Sequence, residues 1–393
     1  MISDRRAGER AALRSGASRG NNVSLTVCFT SPYSFCRITG IGRFIRDLRR
    51  KLETTGSVSF AISPAPAPPS EVDVQVRLRL PVLATLELAL RTVPILLRLR
   101  DAYQVLHAQH AHLQSAAAAV VGRILGKPSI LTLHGTVPRP AGFMRRTAQA
   151  LAEWLSVKSA TRVVAVTDFV QESFARVRRG IQVIPNGVDV QRFKPSAQAR
   201  AETRRNLDLG NDIVFLFAGR WAVTKGVDLL LKAALSNAST GKNFKLLFLG
   251  EPSPEDPKLL SMAELPAILR PIVRIIGPVG DSLPSYLAAA DVFILPSLFE
   301  GLPMGLIEAM ATGVACIASD IPINKRIVTG AACGWLFRSG DAADLARVMR
   351  SVISEGVPEE FSRNARDAAL RFFDLDDEVS LYQGLYLDVL PGV

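Results

Sequence analysis

Glu300 and Glu308 stand eight positions apart in the segment Pro296 to Ala311, and the residues around them suit a phosphorylated sugar. The apolar run Val292-Phe293-Ile294-Leu295 predicts a buried parallel strand, and the pattern from Met304 to Ala311 predicts the start of a helix. Glu300 then falls in a strand-to-helix loop, where open α/β sheets take their ligands, and Glu308 falls inside the helix. Gly301 and Gly305 let backbone come close to a ligand, while the unpaired N–H groups of a helix start favour an anion. A second pair, Arg220 and Lys225, lies in Gly219-Arg220-Trp221-Ala222-Val223-Thr224-Lys225-Gly226, just after another apolar run. A guanidinium fork and an ammonium point charge near a helix start make a diphosphate clamp, each charge-assisted hydrogen bond contributing about 1.5–3 kcal/mol. His134 ends the run Ser129 to Leu133 and precedes Gly135, a position that suits a functional imidazole. His107, His110 and His112 invite a metal, but no carboxylate or cysteine accompanies them at ligand spacing, so no metal site is expected.

The elements that must position these residues alternate regularly. A strand over Val23 to Phe29, a glycine loop (Thr39-Gly40-Ile41-Gly42) and a helix to about Leu52 make a Rossmann-like opening. Strands are expected at Val58–Ile62, Tyr103–Ala108, Ser129–Leu133 and Arg162–Val166. The rhythm restarts with Ile213–Ala218, a helix near Asp228–Leu235, and strands at Phe244–Leu249, Val273–Ile276, Val292–Leu295 and Val314–Ala318. The fold class is α/β, with two tandem βαβ domains. The turn-forming cluster Ile184-Pro185-Asn186-Gly187-Val188-Asp189 marks their junction. The expected division is a basic tail over 1–22, a first domain over 23–182, a second over 183–367, and a C-terminal segment over 368–393 that returns to the first. Ser63 to Ser70, rich in proline, reads as a surface loop.

Between Arg77 and Arg100 a helix is expected, with Leu83, Leu86, Leu90, Val93 and Leu97 on one face and Glu87, Arg91 and Arg98 on a narrow polar stripe. So apolar a helix either covers the first sheet or dips into a bilayer interface, and its charges are too frequent for a transmembrane span.

The 393 residues suffice for two domains with cores of their own. Cys28, Cys36, Cys316 and Cys333 form neither a close pair nor a disulfide framework, so a reducing cytoplasm is the expected compartment. Residues 1–22 lack the apolar core of a signal peptide. The net charge of +11 is unevenly spread: residues 1–200 carry 29 Lys and Arg against 12 Asp and Glu, a net +17, while the rest is −6. Nucleic acid is not expected, since no recognition motif or basic–aromatic run is present. An anionic membrane surface at the inner face of the cytoplasmic membrane suits the basic half better.

Taken in order, Gly40/Gly42, Leu133-His134-Gly135, Pro185-Asn186-Gly187-Val188-Asp189, Gly219-Arg220 with Lys225-Gly226, and the two glutamates resemble the retaining glycosyltransferases of the GT-B fold, family 4. The resemblance spans Val23 to about Val393. It implies two Rossmann-like domains facing across a cleft, with a nucleotide-diphosphate sugar as donor and a glycan or lipid-linked glycan as acceptor. The donor would be bound by Gly301, Met304, Gly305 and Leu306 together with the residues above. Carried over, Glu300 would contact the transferred sugar, Glu308 the ribose, and Arg220 and Lys225 the diphosphate. The Gly40–Gly42 backbone would close over the phosphates and His134 would face the sugar. It implies no metal and no cofactor, because cationic side chains and helix starts neutralise the diphosphate.

Three rivals stay open at this stage. A nicotinamide dehydrogenase lacks the third fingerprint glycine after Gly40-Ile41-Gly42. A nucleotide-sugar epimerase shares the architecture, and a catalytically silent relative would keep the fold alone. The chain departs from the family pattern at Asn324-Lys325-Arg326, where many relatives place a glutamate, and at Pro303, often a glycine.

Overall fold

The computed structural model describes residues 25–32, 40–64, 74–79, 84–135, 143–239, 243–252 and 265–390. The expected tail over 1–22, the loop residue Thr39, residues 65–70 of the proline-rich piece and Leu83 lie outside these.

Two compact units divide the chain: one takes in residues up to Gly187 together with Leu375 onward, and the other centres on Val188–Asp374. The first unit is built on a parallel sheet of β1 (Thr26–Thr30), β2 (Val58–Pro64), β3 (Val74–Val76), β4 (Val105–Gln109), β5 (Ser129–Leu133), β6 (Arg162–Ala165) and β7 (Gln182–Val183). Their spatial order is β3-β2-β1-β4-β5-β6-β7. Its helices are α1 (Gly40–Thr54), α2 (Ala84–Arg98), α3 (Leu113–Ile124), α4 (Phe143–Ser159) and α5 (Asp168–Phe174). Thr167 caps α5 through a bond from the Val170 amide, as an N-cap threonine should.

In the second unit the strands are β8 (Ile213–Ala218), β9 (Phe244–Leu249), β10 (Val273–Gly277), β11 (Val292–Leu295), β12 (Ala315–Ser319) and β13 (Gly334–Phe337), ordered β10-β9-β8-β11-β12-β13 and all parallel. Helices α6 (Ala197–Asn206), α7 (Val227–Ala238), α8 (Leu283–Ala289), α9 (Met304–Ala311), α10 (Pro322–Ala331), α11 (Ala342–Glu355) and α12 (Glu359–Phe372) complete it. Helix α13 (Leu375–Val389) belongs to the first unit.

Each sheet repeats the doubly wound order 3-2-1-4-5-6, so each has a switch point, between β1 and β4 in one and β8 and β11 in the other. The strands are apolar on both faces because helices cover both. Val214 and Leu216 enter one core of the second unit while Phe215 and Phe217 enter the other. Asp291 pins the start of β11 beside β8, accepting from the Val214 amide at 2.7 Å and from Arg200 and Arg204 of α6 at 2.6 and 3.3 Å. That anchorage sets where the loop carrying Glu300 emerges.

Two expectations need correction. Gly40 and Gly42 do not form a loop: both lie in the first turn of α1. Helix α2 does not turn its leucine stripe inward; Leu90 is 64% exposed, Leu86 and Leu97 are exposed too, and Glu87, Leu88, Ala89, Thr92 and Leu96 are buried. Glu87 decides the orientation, accepting from Arg91 Nε at 2.7 Å and from the Arg79 amide at 2.8 Å, so a satisfied carboxylate takes the inner face. Among the described residues no helix is long and apolar enough to cross a membrane.

Candidate active site

Lys225 and Glu300 are 75 residues apart in sequence and meet at the β8/β11 switch point. The ammonium of Lys225 lies 2.6 Å from Glu300 Oε1, and Ser297 Oγ donates to the same oxygen at 2.7 Å. Both bonds fall on Oε1, so Oε2 keeps its accepting capacity. The Glu300 side chain is only 9% exposed, the Lys225 side chain 28%.

The backbone joins the two loops. Leu298 N–H donates to the Thr224 carbonyl at 2.9 Å, linking the β11–α9 loop to the short 3₁₀ turn Val223–Lys225. Gly226 closes that turn at φ +65°, and a Cβ there would sit 2.1 Å from the Pro296 carbonyl oxygen. Gly226→Ala is therefore expected to cost about 2–4 kcal/mol, from strained backbone and overpacking, and to part Lys225 from Glu300. A chemical denaturation midpoint that matches the unsubstituted protein would contradict this reading of the turn.

Helix α9 starts beside them with Pro303 at its N-cap and no side chain capping it, so the first amides of the helix, at Met304 and Gly305, point outward without an intrahelical acceptor. Gly305 packs tightly: a Cβ would lie 3.2 Å from Phe293 Cζ and 3.5 Å from the Ala218 carbonyl oxygen. The helix end is thus held close to the ends of β8 and β11, where its dipole favours an anion. Arg220, directly after β8, is exposed and makes no hydrogen bond or ion pair among the described residues. Glu308 lies deeper in α9, 2% exposed. Asn324, in the stretch 324–326 that departs from the family pattern, is buried and donates to Ser319 Oγ at 3.2 Å; Ser319 in turn donates to the Ser297 carbonyl.

The first unit gathers its own cluster. His134 Nε2 lies 2.8 Å from Gln109 Oε1, and since an amide oxygen only accepts, Nε2 carries the proton. Burial, with His110 and His107 nearby, holds its pKa well below the usual histidine range, so the ring is neutral with Nδ1 as acceptor. Phe44 of α1 packs edge-on against it, ring centroids 4.8 Å apart.

Both ring nitrogens of His107 are engaged by side chains. Its Nδ1 meets Tyr386 Oη and its Nε2 meets Thr132 Oγ1, each at 2.8 Å, and Tyr382 Oη reaches the same threonine at 2.9 Å. Among the described residues no group of three His, Cys, Asp or Glu is arranged to hold a metal. Tyr382 and Tyr386 come from α13, whose Glu378 accepts from the Gly187 amide at 2.6 Å.

Burial pushes His107 down to about 3, and burial plus His112 pushes His110 down to about 4. Both are neutral when folded and take up protons when unfolded below the ordinary value of 6.5. Their stabilisation is complete above pH 6.5 and falls by about 1.4 kcal/mol per pH unit per histidine as pH drops towards 4. Denaturant titrations from pH 7.5 to 4.5 should show that loss, and His107→Gln should flatten the slope by one proton.

Ser297 and Gln109 were not singled out from sequence, though Ser297 stands three residues before Glu300 at a strand end. Gln109 sits within the histidine-rich run, at the end of β4, but carries no local mark of its partner 25 residues on.

A profile of the Glycosyl transferases group 1 family matches residues 199–368, and one of Glycosyltransferase Family 4 matches residues 38–192. The chain is 27% identical over 305 residues to an Escherichia coli UDP-Gal:alpha-D-GlcNAc-diphosphoundecaprenol alpha-1,3-galactosyltransferase, covering 74% of this chain and 77% of that protein. It is 27% identical over 310 residues to a D-inositol 3-phosphate glycosyltransferase of Acidothermus cellulolyticus, covering 73% and 68%. Among solved structures, Anabaena HepE in complex with UDP superposes with a TM-score of 0.76 at 19% identity, covering 93% of this chain and 100% of that one. WaaG, a glycosyltransferase involved in lipopolysaccharide biosynthesis, superposes at 0.72 and 18% identity, covering 93% and 100%.

Proposed function

This chain belongs to the group 1, family 4 glycosyltransferases, and from that membership we propose that it is a retaining, metal-independent hexosyltransferase whose donor site is the Lys225–Glu300 pair. The enzyme transfers a sugar from a nucleotide-diphosphate donor to a glycan or lipid-linked glycan acceptor. The observation that carries the site assignment is the meeting of Lys225, Glu300 and the uncapped start of α9 at a switch point.

Arg220 and Lys225 hold the diphosphate, with the free α9 amides of Met304 and Gly305 beside it and Leu306 following them in the helix. In the reaction the C1–oxygen bond to the diphosphate breaks, the acceptor oxygen bonds to C1 on the same face, and the acceptor proton passes to a phosphate oxygen. The atoms then balance without a protein nucleophile. Negative charge grows on the leaving diphosphate, and preset cations and amides stabilise it at no reorganisation cost. Glu300 Oε2 accepts from a sugar hydroxyl; Glu308 serves the ribose, and Gly301 gives the backbone room. The first unit presents the neutral His134, with Gly40 and Gly42 in the first turn of α1.

The acceptor class is supported by the relative acting on a diphosphoundecaprenol-linked sugar and by the +17 charge of residues 1–200. A lipid-diphosphate-linked glycan at the cytoplasmic membrane surface, in surface polysaccharide or glycolipid synthesis, matches both, and no nucleic acid is a partner. The reaction test is nucleoside diphosphate release from UDP-galactose with and without α-GlcNAc-diphosphoundecaprenol, repeated with GDP-, ADP- and CDP-sugars. Acceptor-dependent release supports transfer; isomerised sugar without acceptor would establish the epimerase instead.

A further inference from the structure

An open surface pocket of about 710 Å³ lies at the N-terminal edge of the first unit's sheet. Pro128 and Thr161, the residues directly before β5 and β6, line it together with Arg123, Lys127, Lys158 and Arg178. His134 follows β5 at the opposite edge, and five strand residues separate the two, about 17 Å at ~3.3 Å per residue. Lys225 and Glu300 belong to the other unit. The pocket is therefore not part of the site already described, and nothing argued from it depends on the glycosyl-transfer reading.

Among the described residues, four cations line this pocket and no carboxylate does. The ordinary explanation is macrodipole compensation, since α3 and α4 both end here, each presenting about half a negative charge. Arg178 fits that explanation. Its guanidinium donates to the carbonyls of Val157, Ala160 and Thr161 at 2.9, 2.6 and 2.9 Å. Lys127 is partly engaged as well, bonding the Tyr103 carbonyl and lying 4.9 Å over the Tyr103 ring. The side chains of Arg123 and Lys158, by contrast, make no hydrogen bond or ion pair with any described residue. Two helix ends offset about one of the four charges, which leaves the pocket at about +3. A concave surface of that charge, with two donor side chains unengaged, suits a ligand with several anionic oxygens.

The same two helices expose apolar side chains. Val120 and Ile124 are exposed on α3, beside Arg123, and Leu151 and Trp154 are exposed on α4, with Lys158 one turn beyond Trp154. Cations at the ends of apolar surface suit an interface where the apolar part enters acyl chains and the charge meets headgroups.

We propose that this pocket is a second anion site, which takes the phosphate of a ligand other than the sugar donor, and that the exposed apolar neighbours suit a phospholipid headgroup as the source of that phosphate. The test compares the full chain with an Arg123→Ser/Lys158→Ser variant. An Arg50→Ser/Arg179→Ser variant removes the same charge from exposed arginines that do not line the pocket. Sedimentation with phosphatidylglycerol and with phosphatidylcholine vesicles gives one readout, and calorimetric titration with sn-glycerol 3-phosphate gives the other. The expected result is binding to phosphatidylglycerol vesicles alone, weakened at least tenfold in the pocket variant and retained in the control variant, with unchanged melting temperatures in all three. Binding of glycerol phosphate without vesicle binding, lost in the pocket variant, keeps the site and assigns it to a soluble phosphate. Equal losses in both variants, equal binding by the pocket variant and the unsubstituted chain, or no binding of either probe would overturn the proposal.

Discussion

Glu300→Gln is expected to lower kcat by about 10²–10³-fold while leaving nucleoside diphosphate affinity unchanged or tighter. The substitution keeps the side chain's size and an oxygen for Ser297, but removes the charge that faces Lys225 at 2.6 Å. Without that counter-charge the ammonium is freer to turn to the diphosphate, so ground-state binding does not suffer. What is lost is the carboxylate's hydrogen bond to a sugar hydroxyl, which strengthens as charge develops at the reacting carbon. Pre-steady-state turnover with saturating donor measures the chemical step, and a calorimetric titration with nucleoside diphosphate measures the other half. Full activity in Glu300→Gln would remove this residue from the site.

Lys225→Ala is expected to act on both binding and catalysis. One charge-assisted bond to the diphosphate contributes about 1.5–3 kcal/mol, so the dissociation constant of the nucleoside diphosphate should rise about ten- to a hundredfold. Because the departing diphosphate gains charge, kcat/KM should fall further, by about 10³-fold. Lys225→Ala also leaves the mostly buried Glu300 without its cation, so the protein should lose stability. Arg220→Ala separates these effects. Arg220 is exposed and unpaired among the described residues, so its removal should weaken the diphosphate without lowering the melting temperature. If Arg220→Ala destabilises as much as Lys225→Ala, the two cations do not have the roles assigned here.

Much of the fold was legible because parallel strands are short apolar runs between helical segments, and the runs at Ser129–Leu133, Ile213–Ala218, Phe244–Leu249 and Val292–Leu295 are strands with those bounds. β3 and β13 were not read: Val74–Val76 has three residues, and Gly334–Phe337 is a sheet-edge strand only partly buried. The orientation of α2 was illegible for a different reason. Apolar residues occur on both of its faces, and the choice rests on Glu87 finding Arg91 and the Arg79 amide.

At the candidate site, position after an apolar run identified Arg220, Lys225 and Glu300 individually. Their pairing was not local information. It depends on β8 and β11 being neighbours, which the doubly wound strand order sets and no stretch of sequence near either residue states. The neutral state of His134 likewise comes from burial and from His110 and His107 nearby, and its tautomer from Gln109, a partner supplied by the adjacent strand β4.

The central claim is that the Lys225–Glu300 pair is the donor site, and thermal shift measures it most directly. UDP-, GDP-, ADP- and CDP-sugars are screened against the unsubstituted chain and against Lys225→Ala, since a ligand that binds only the folded state raises its melting temperature. The account predicts that at least one nucleotide sugar raises the melting temperature of the unsubstituted chain and that Lys225→Ala loses most of that shift. An equal shift in both proteins would contradict it.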